Sequence, residues 1–124
     1  MKKATKNYID KPWGYEKLWA HTDKYVGKTL YIKEGRQLSR QYHEHKEETI
    51  YVLKGTLILE IGLGKKMITK ELAPGGTYHI APGTIHRFCA PKDRPPVELV
   101  EVSTPEIGDV VRIEDDYGRV DDSK

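Results

Sequence analysis

The stretch "QYHEHKEETIYVLKGTLIL", running from Gln41 to Leu59, joins a histidine-rich segment to a run with strong β patterning. Thr49 to Gly55 and Thr56 to Gly62 are rich in β-branched residues, and each ends in glycine, so they read as two successive strands. Side chains two apart on a strand point to the same face, so Gln41, His43 and His45 are expected to project together. Neighbours in such a row lie roughly 6.5–7 Å apart, close enough to converge on one ion, while the outer two are about twice as far apart. Glu48 follows a short polar connection where the chain turns back, and a cross-strand position there adds a carboxylate. Positions that would be apolar in an ordinary half-buried strand carry metal-donor groups instead.

Outward from this stretch the β signals recur. Lys28 to Gly35, Lys66 to Leu72, Thr77 to Gly83, Ile85 to Ala90 and Val97 to Pro105 are short, β-rich and mostly bounded by glycine or proline. Val110 to Ile113 adds a last strand, with room for a single helical turn after it. No stretch of ten or more residues reads as a helix, since Pro12, Gly14, Gly27 and Gly35 interrupt the early part. Short strands at regular spacing predict an all-β sandwich or small antiparallel barrel.

A chain of 124 residues suits one domain. The expected layout is a single domain over residues 1–124, with a short N-terminal arm over about 1–10 and a polar, frayed tail over about 119–124. The net charge of +2 comes from intermixed lysine and glutamate rather than a basic stripe, which argues against a nucleic-acid partner. Apolar runs are far shorter than the ~20 residues of a membrane span, and "MKKATKNYID" lacks the apolar region of a secretory signal. Cys89 is the single cysteine and cannot form an internal disulfide, so a reducing cytoplasm is the expected compartment.

A second cluster, "APGTIH", uses Pro82 and Gly83 for a tight turn that delivers His86 to the start of another strand. Imidazole, carboxylate and amide oxygen make a mixed nitrogen and oxygen set suited to one divalent transition ion: zinc, iron, nickel or manganese. His21 and His79, each alone on its segment, read as structural or exposed. Cys89 has the opposite strand parity to His86 and reads as a packed thiol, and Arg87, adjacent to His86, points away from the site.

These clusters resemble the paired motifs of the cupin superfamily, small antiparallel β-barrels of jelly-roll type with a metal inside. Gly35, five residues, Gln41, His43, four residues, Glu48, six residues and Gly55 follow the first motif, with glutamine where most cupins have histidine. Gly75, Gly83 and His86 follow the second, with Ala81 at its proline position and Ala90 replacing its asparagine. More closely, the chain resembles the C-terminal cupin of type II mannose-6-phosphate isomerases (phosphomannose isomerase/mannose-1-phosphate guanylyltransferase). "KPWGYE" (Lys11 to Glu16), the G-x-x-L-S-x-Q-x-H-x-H-x-x-E core from Gly35 to Glu48, "PGTIHR" (Pro82 to Arg87) and "GDVVRIEDDYGR" (Gly108 to Arg119) carry the likeness. The family's Lys11 position is more often arginine. Its large nucleotidyltransferase domain has no counterpart in this sequence, so guanylyl transfer is not implied.

The resemblance implies metal ligands Gln41, His43, Glu48 and His86. Ligand chemistry alone pairs His43 with His45, since imidazole is the stronger donor, so Gln41 and His45 compete for one place. His43, Glu48 and His86 belong to both readings, and with Gln41 as ligand His45 sits at the pocket wall. The implied reaction interconverts an aldose phosphate and a ketose phosphate, mannose 6-phosphate being the family substrate. Such chemistry needs a base to hold a proton in transit, a role that falls to His45 if it is not a ligand. Lys28 and Arg119 are the cations expected to meet the substrate phosphate. The expected partners are therefore a small carbohydrate, a sugar phosphate, and a second copy of the chain in a homodimer. The alternatives are an iron-dependent dioxygenase on the same fold, or a non-catalytic metal- and sugar-binding module.

Overall fold

The computed structural model describes residues 8–120, and its named strands pair antiparallel throughout. In chain order the strands are β1 (Tyr8–Lys11), β2 (Gly14–His21), β3 (Val26–Ile32), β4 (Arg40–Tyr42), β5 (Glu48–Lys54) and β6 (Leu57–Ile61). β7 (Ile68–Leu72), β8 (Thr77–Ile80), β9 (His86–Cys89), β10 (Val97–Ser103) and β11 (Val111–Glu114) complete them. One sheet runs β1-β2-β3-β10-β5-β8 and the other β11-β4-β9-β6-β7. A single 3-10 turn, Gly64–Lys66, joins β6 to β7. This is the two-sheet, all-β architecture of a cupin.

The core follows from strand alternation. β3 buries Val26, Leu30 and Ile32; β5 buries Ile50 and Val52; β10 buries Val97 and Leu99. Register sets Leu99 opposite both Leu30 and Val52, so these side chains share one layer of the interior. Leu57, Leu59, Ile80, Phe88 and Trp13 close it from the other elements. Each such side chain contributes about 1.5–3 kcal/mol when withdrawn from water.

The same inward positions change character along the strands. Beyond Ile50 comes Glu48, beyond Leu99 comes Glu101, and beyond Leu30 comes Lys28, all facing the interior. Glu101 is directly opposite Lys28 on β3 and Ile50 on β5. One half of the barrel is thus filled with hydrocarbon, and the other half is lined with ionisable groups.

Three sequence expectations need correction. The arm expected over residues 1–10 is partly structured: Tyr8–Lys11 is a strand paired with β2, and only residues 1–7 lie outside the described residues. Gly14, where this hairpin turns into β2, has to be glycine, because a Cβ there would sit 1.9 Å from the Tyr31 carbonyl oxygen. Of the tail, Arg119 is anchored by hydrogen bonds to Asp115, while residues 121–124 lie outside the described residues. The third concerns the histidine row. β4 ends at Tyr42, and Glu44 and His45 form a bend, so the expected alternation from Gln41 to His45 is broken.

Candidate metal centre

The bend has an identifiable cause. The Asp109 carboxylate accepts three consecutive backbone N–H groups, from Glu44 at 3.0 Å, His45 at 2.7 Å and Lys46 at 2.9 Å. Three donors aimed at one carboxylate require the backbone to curl around it, which no strand can do. His43 is left buried at the start of the curl, and His45 is turned out to solvent.

His43, Glu48 and His86 meet in the ionisable half, with one donor atom from each lying within 4.8 Å of the others. His43 Nε2 is 3.1 Å and His86 Nε2 3.3 Å from Glu48 Oε2, and the imidazole centroids are 5.2 Å apart. All three residues are buried. The arrangement is built by pairing: Gln41 on β4 is the register partner of His86 on β9, and Glu48 opens β5. Gly83, at φ +84, makes the turn before β9, and its N–H donates to the His43 carbonyl at 2.7 Å. That bond ties the two sequence clusters together.

The tautomers follow from the outer contacts. His43 Nδ1 donates to the Asp109 carbonyl at 2.6 Å, and His86 Nδ1 donates to the Thr84 carbonyl at 2.9 Å. A carbonyl can only accept, so Nδ1 carries the hydrogen on both rings and, in the neutral imidazoles, each Nε2 presents a lone pair. His86 Nε2 is buried and has no hydrogen-bond partner. Lone pairs converging on a carboxylate oxygen in a buried site fit a bound cation.

The surrounding charges are organised around Glu48. Burial pushes its pKa up, but its polar neighbours, the Lys46 ammonium among them, outweigh that and hold it well below the ordinary carboxylate range. Glu101 moves the other way, to about 7, through burial first and the negative charge of Glu48 second. Lys46 lies between them, 2.9 Å from Glu101 and 3.8 Å from Glu48. Burial lowers its pKa, yet the two carboxylates raise it on balance.

His43 and Glu48 of the triad line a cavity of about 190 Å³ whose walls also include Gln41, Lys46 and Glu101. Gln41 Oε1 accepts a hydrogen bond from Ser39 Oγ at 2.6 Å, which fixes the amide beside the triad. Lys28 and Arg119 also line this cavity, and each is engaged internally. Lys28 lies 3.3 Å from Glu16, and Arg119 grips Asp115 through Nε at 2.9 Å and Nη2 at 3.0 Å. His45 does not line the cavity and is exposed, so the structure does not bring it to the pocket wall. His79 is exposed against Glu47, His21 is exposed, and Arg87 is buried away from the cavity with Nε donating to the Leu38 carbonyl.

Lys46, Glu101 and Arg112 are cavity groups that the sequence reading missed. Lys46 sits within a polar "HKEE" run that looks like solvated charge, and Arg112 sits between two valines and an isoleucine. The inward phase of Val97, Leu99 and Glu101 was available as a signal for Glu101.

Comparison with known proteins agrees with this architecture. Residues 1–122 match the family model described as mannose-6-phosphate isomerase C-terminal. The chain is 36% identical over 116 residues to the mannose-1-phosphate guanylyltransferase ManC of Salmonella typhimurium, covering 90% of this chain and 23% of that protein. It is 32% identical over 114 residues to the xanthan biosynthesis protein XanB of Xanthomonas campestris, with the same coverages. The chain therefore spans about a quarter of the length of the curated relatives it matches. Among solved structures, oxalate decarboxylase from Bacillus subtilis superposes with a TM-score of 0.73 at 14% identity, covering 86% of this chain and 29% of that one. KdgF from Halomonas gives 0.69 at 21% identity, covering 80% and 86%, and both show the shared fold. A cupin whose sequence matches that model over nearly its whole length, and whose two motifs meet in space, belongs to the mannose-6-phosphate isomerase C-terminal family.

Proposed function

We propose that this cupin binds one divalent metal ion through His43, Glu48 and His86, with Gln41 as a fourth, weaker donor, and interconverts an aldose phosphate and a ketose phosphate. The observation that carries the reading is the buried meeting of two Nε2 lone pairs with the Glu48 carboxylate at the wall of a polar cavity. Zinc, manganese, iron and nickel all suit that donor set. A bound ion supplies Lewis-acid polarisation of the oxygens on the reacting carbons.

The chain's own residues have distinct parts. Asp109 and Thr84, through their carbonyls, hold the two imidazoles in the ligating tautomer. A proton must leave one carbon and return to its neighbour, which requires a group inside the cavity. His45 was the expected carrier, and its exposed position gives it no reach into the pocket. Glu101, buried in the cavity wall, takes that role in this proposal on the strength of its position. Lys46 holds the Glu101 carboxylate in place at 2.9 Å.

The names of the relatives support a sugar-phosphate substrate: two are mannose-1-phosphate guanylyltransferase and a xanthan biosynthesis protein. A cytoplasmic setting is proposed on the buried free thiol of Cys89. No helix among the described residues is long and apolar enough to cross a membrane. A homodimer is the assembly proposed by analogy, and sedimentation velocity tests it.

The test of function is direct. The metal-reconstituted protein should interconvert mannose 6-phosphate and fructose 6-phosphate, and chelation should stop it. A full equivalent of metal with no turnover of any hexose or pentose phosphate would reduce the protein to a binding module. Oxygen consumption by the iron-loaded form would instead make it an oxidative enzyme.

A further inference from the structure

Five cations line the cavity: Lys11, Lys28, Lys46, Arg112 and Arg119. Three are neutralised by carboxylates of the chain, Lys28 by Glu16, Lys46 by Glu101 and Arg119 by Asp115. Arg112 differs. Its Nε is buried without a hydrogen-bond partner, and no carboxylate pairs with it among the described residues.

The backbone explains why it is left unpaired. Residues two apart on a strand normally share a face, so Glu114 would stand beside Arg112 and neutralise it. The β11–β4 pairing shifts register between these two, with Arg112 opposite Gln41 and Glu114 opposite Arg40. This bulge turns the pair to opposite faces of the sheet. Glu114 is spent outside on Arg40, at 2.7 Å, and Arg112 faces the cavity without it.

Position gives the guanidinium a use. Arg112, Gln41 and His86 form one row across β11, β4 and β9. Adjacent strands lie about 4.7–4.9 Å apart, so the Arg112 backbone starts roughly 10 Å from that of His86 along the row, and Arg112 lines the same cavity as His43 and Glu48. One small molecule in the cavity could therefore meet both the Arg112 side chain and the wall formed by His43 and Glu48. Lys11 reaches the same cavity from β1, the edge strand of the other sheet, just as β11 is the edge of its own.

We infer that Arg112 is the phosphate-gripping residue of the cavity, selecting phosphorylated over free sugars, with Lys11 as a second cation. An unpaired guanidinium offers two parallel N–H donors to phosphate oxygens, a geometry that the braced Arg119 and Lys28 do not have to spare. The choice of sugar phosphate rests on the proposed isomerase reading; the anion site itself does not.

The experiment titrates inorganic phosphate at low ionic strength into the full chain, as purified and after chelation, so that a bound ion cannot hold the anion. Arg112→Gln should weaken phosphate binding by about tenfold or more in both forms, and Arg112→Lys should recover part of the loss. Arg94→Gln, which removes an exposed cation paired with Glu71, should match wild type. Equal phosphate affinity in wild type and a folded Arg112→Gln overturns the inference. If Arg112→Gln does not fold, equal affinity in wild type and Arg112→Lys overturns it. Mannose 6-phosphate binding should depend on Arg112 and mannose binding should not; a preference for glucuronate over the phosphate ester would overturn the choice of phosphate. Failure of metal binding or turnover, with the phosphate result intact, would count against the isomerase reading alone.

Discussion

Asp109 and His43 are joined twice over: the Asp109 carbonyl accepts the His43 Nδ1 hydrogen, while its carboxylate gathers the backbone N–H groups just after His43. One residue thus sets both the tautomer of His43 and the path of the chain that carries it. Asp109→Ala should cost about 2–3 kcal/mol of stability by leaving three amides without their acceptor, measured by urea unfolding. It should also weaken metal binding by about 10–100-fold, since the ligand's support is lost.

The same carboxylate predicts an acid limit. Burial pushes the Asp109 pKa up, but the N–H donations from His45, Glu44 and Lys46 more than offset this and hold it below its usual value. A depressed folded pKa means stability that is present above the unfolded value of about 3.9 and lost as pH falls through the lower folded value. Wild type should therefore exceed Asp109→Asn in stability at neutral pH, and the gap should close below about pH 4 in acid-unfolding curves.

The triad makes a separable prediction for metal content. His43→Ala and His86→Ala should each abolish stoichiometric metal by elemental analysis, since each removes one of three buried donors. Gln41→Ala should weaken affinity because Gln41 borders the triad, whereas His45→Ala should leave it within a few-fold. A full equivalent retained in either histidine variant would eliminate the site.

Cys89 should be inert in the folded protein. Burial pushes its thiol up to about 12, so almost no thiolate exists at pH 8. A thiol-specific reagent at pH 8 should react only upon unfolding, with the rate of modification rising across the urea transition.

Arg40 ties β11 to the barrel from outside, at 2.8 Å from Glu60 and 2.7 Å from Glu114. Its side chain is only 9% exposed while that of Glu114 is half exposed, which tempers the charge contribution. Arg40→Ala should cost about 1–3 kcal/mol and raise hydrogen exchange in Val111–Glu114 more than in β10.

Much of this was legible in the residues. The strands from β5 to β10 announce themselves through β-branched runs closed by glycine or proline, and parity alone sends His86 and Arg87 to opposite faces of β9, although both are buried. What the sequence could not reveal was tertiary in origin. The alternation of Gln41, His43 and His45 is interrupted by a carboxylate more than sixty positions away, which no local window contains. Arg112 gave no warning either, because its orientation depends on a bulge defined against β4. Lys46 looks like surface charge until Glu101 is brought over it.

The division of the barrel into a hydrocarbon half and an ionisable half separates two duties on the same strands. Leu99 and Ile50 secure the alignment of β10 and β5, while Glu101 and Glu48, one step further along, are free to be exchanged. A scaffold divided in this way can acquire a new ligand set or a new substrate without renegotiating how it folds.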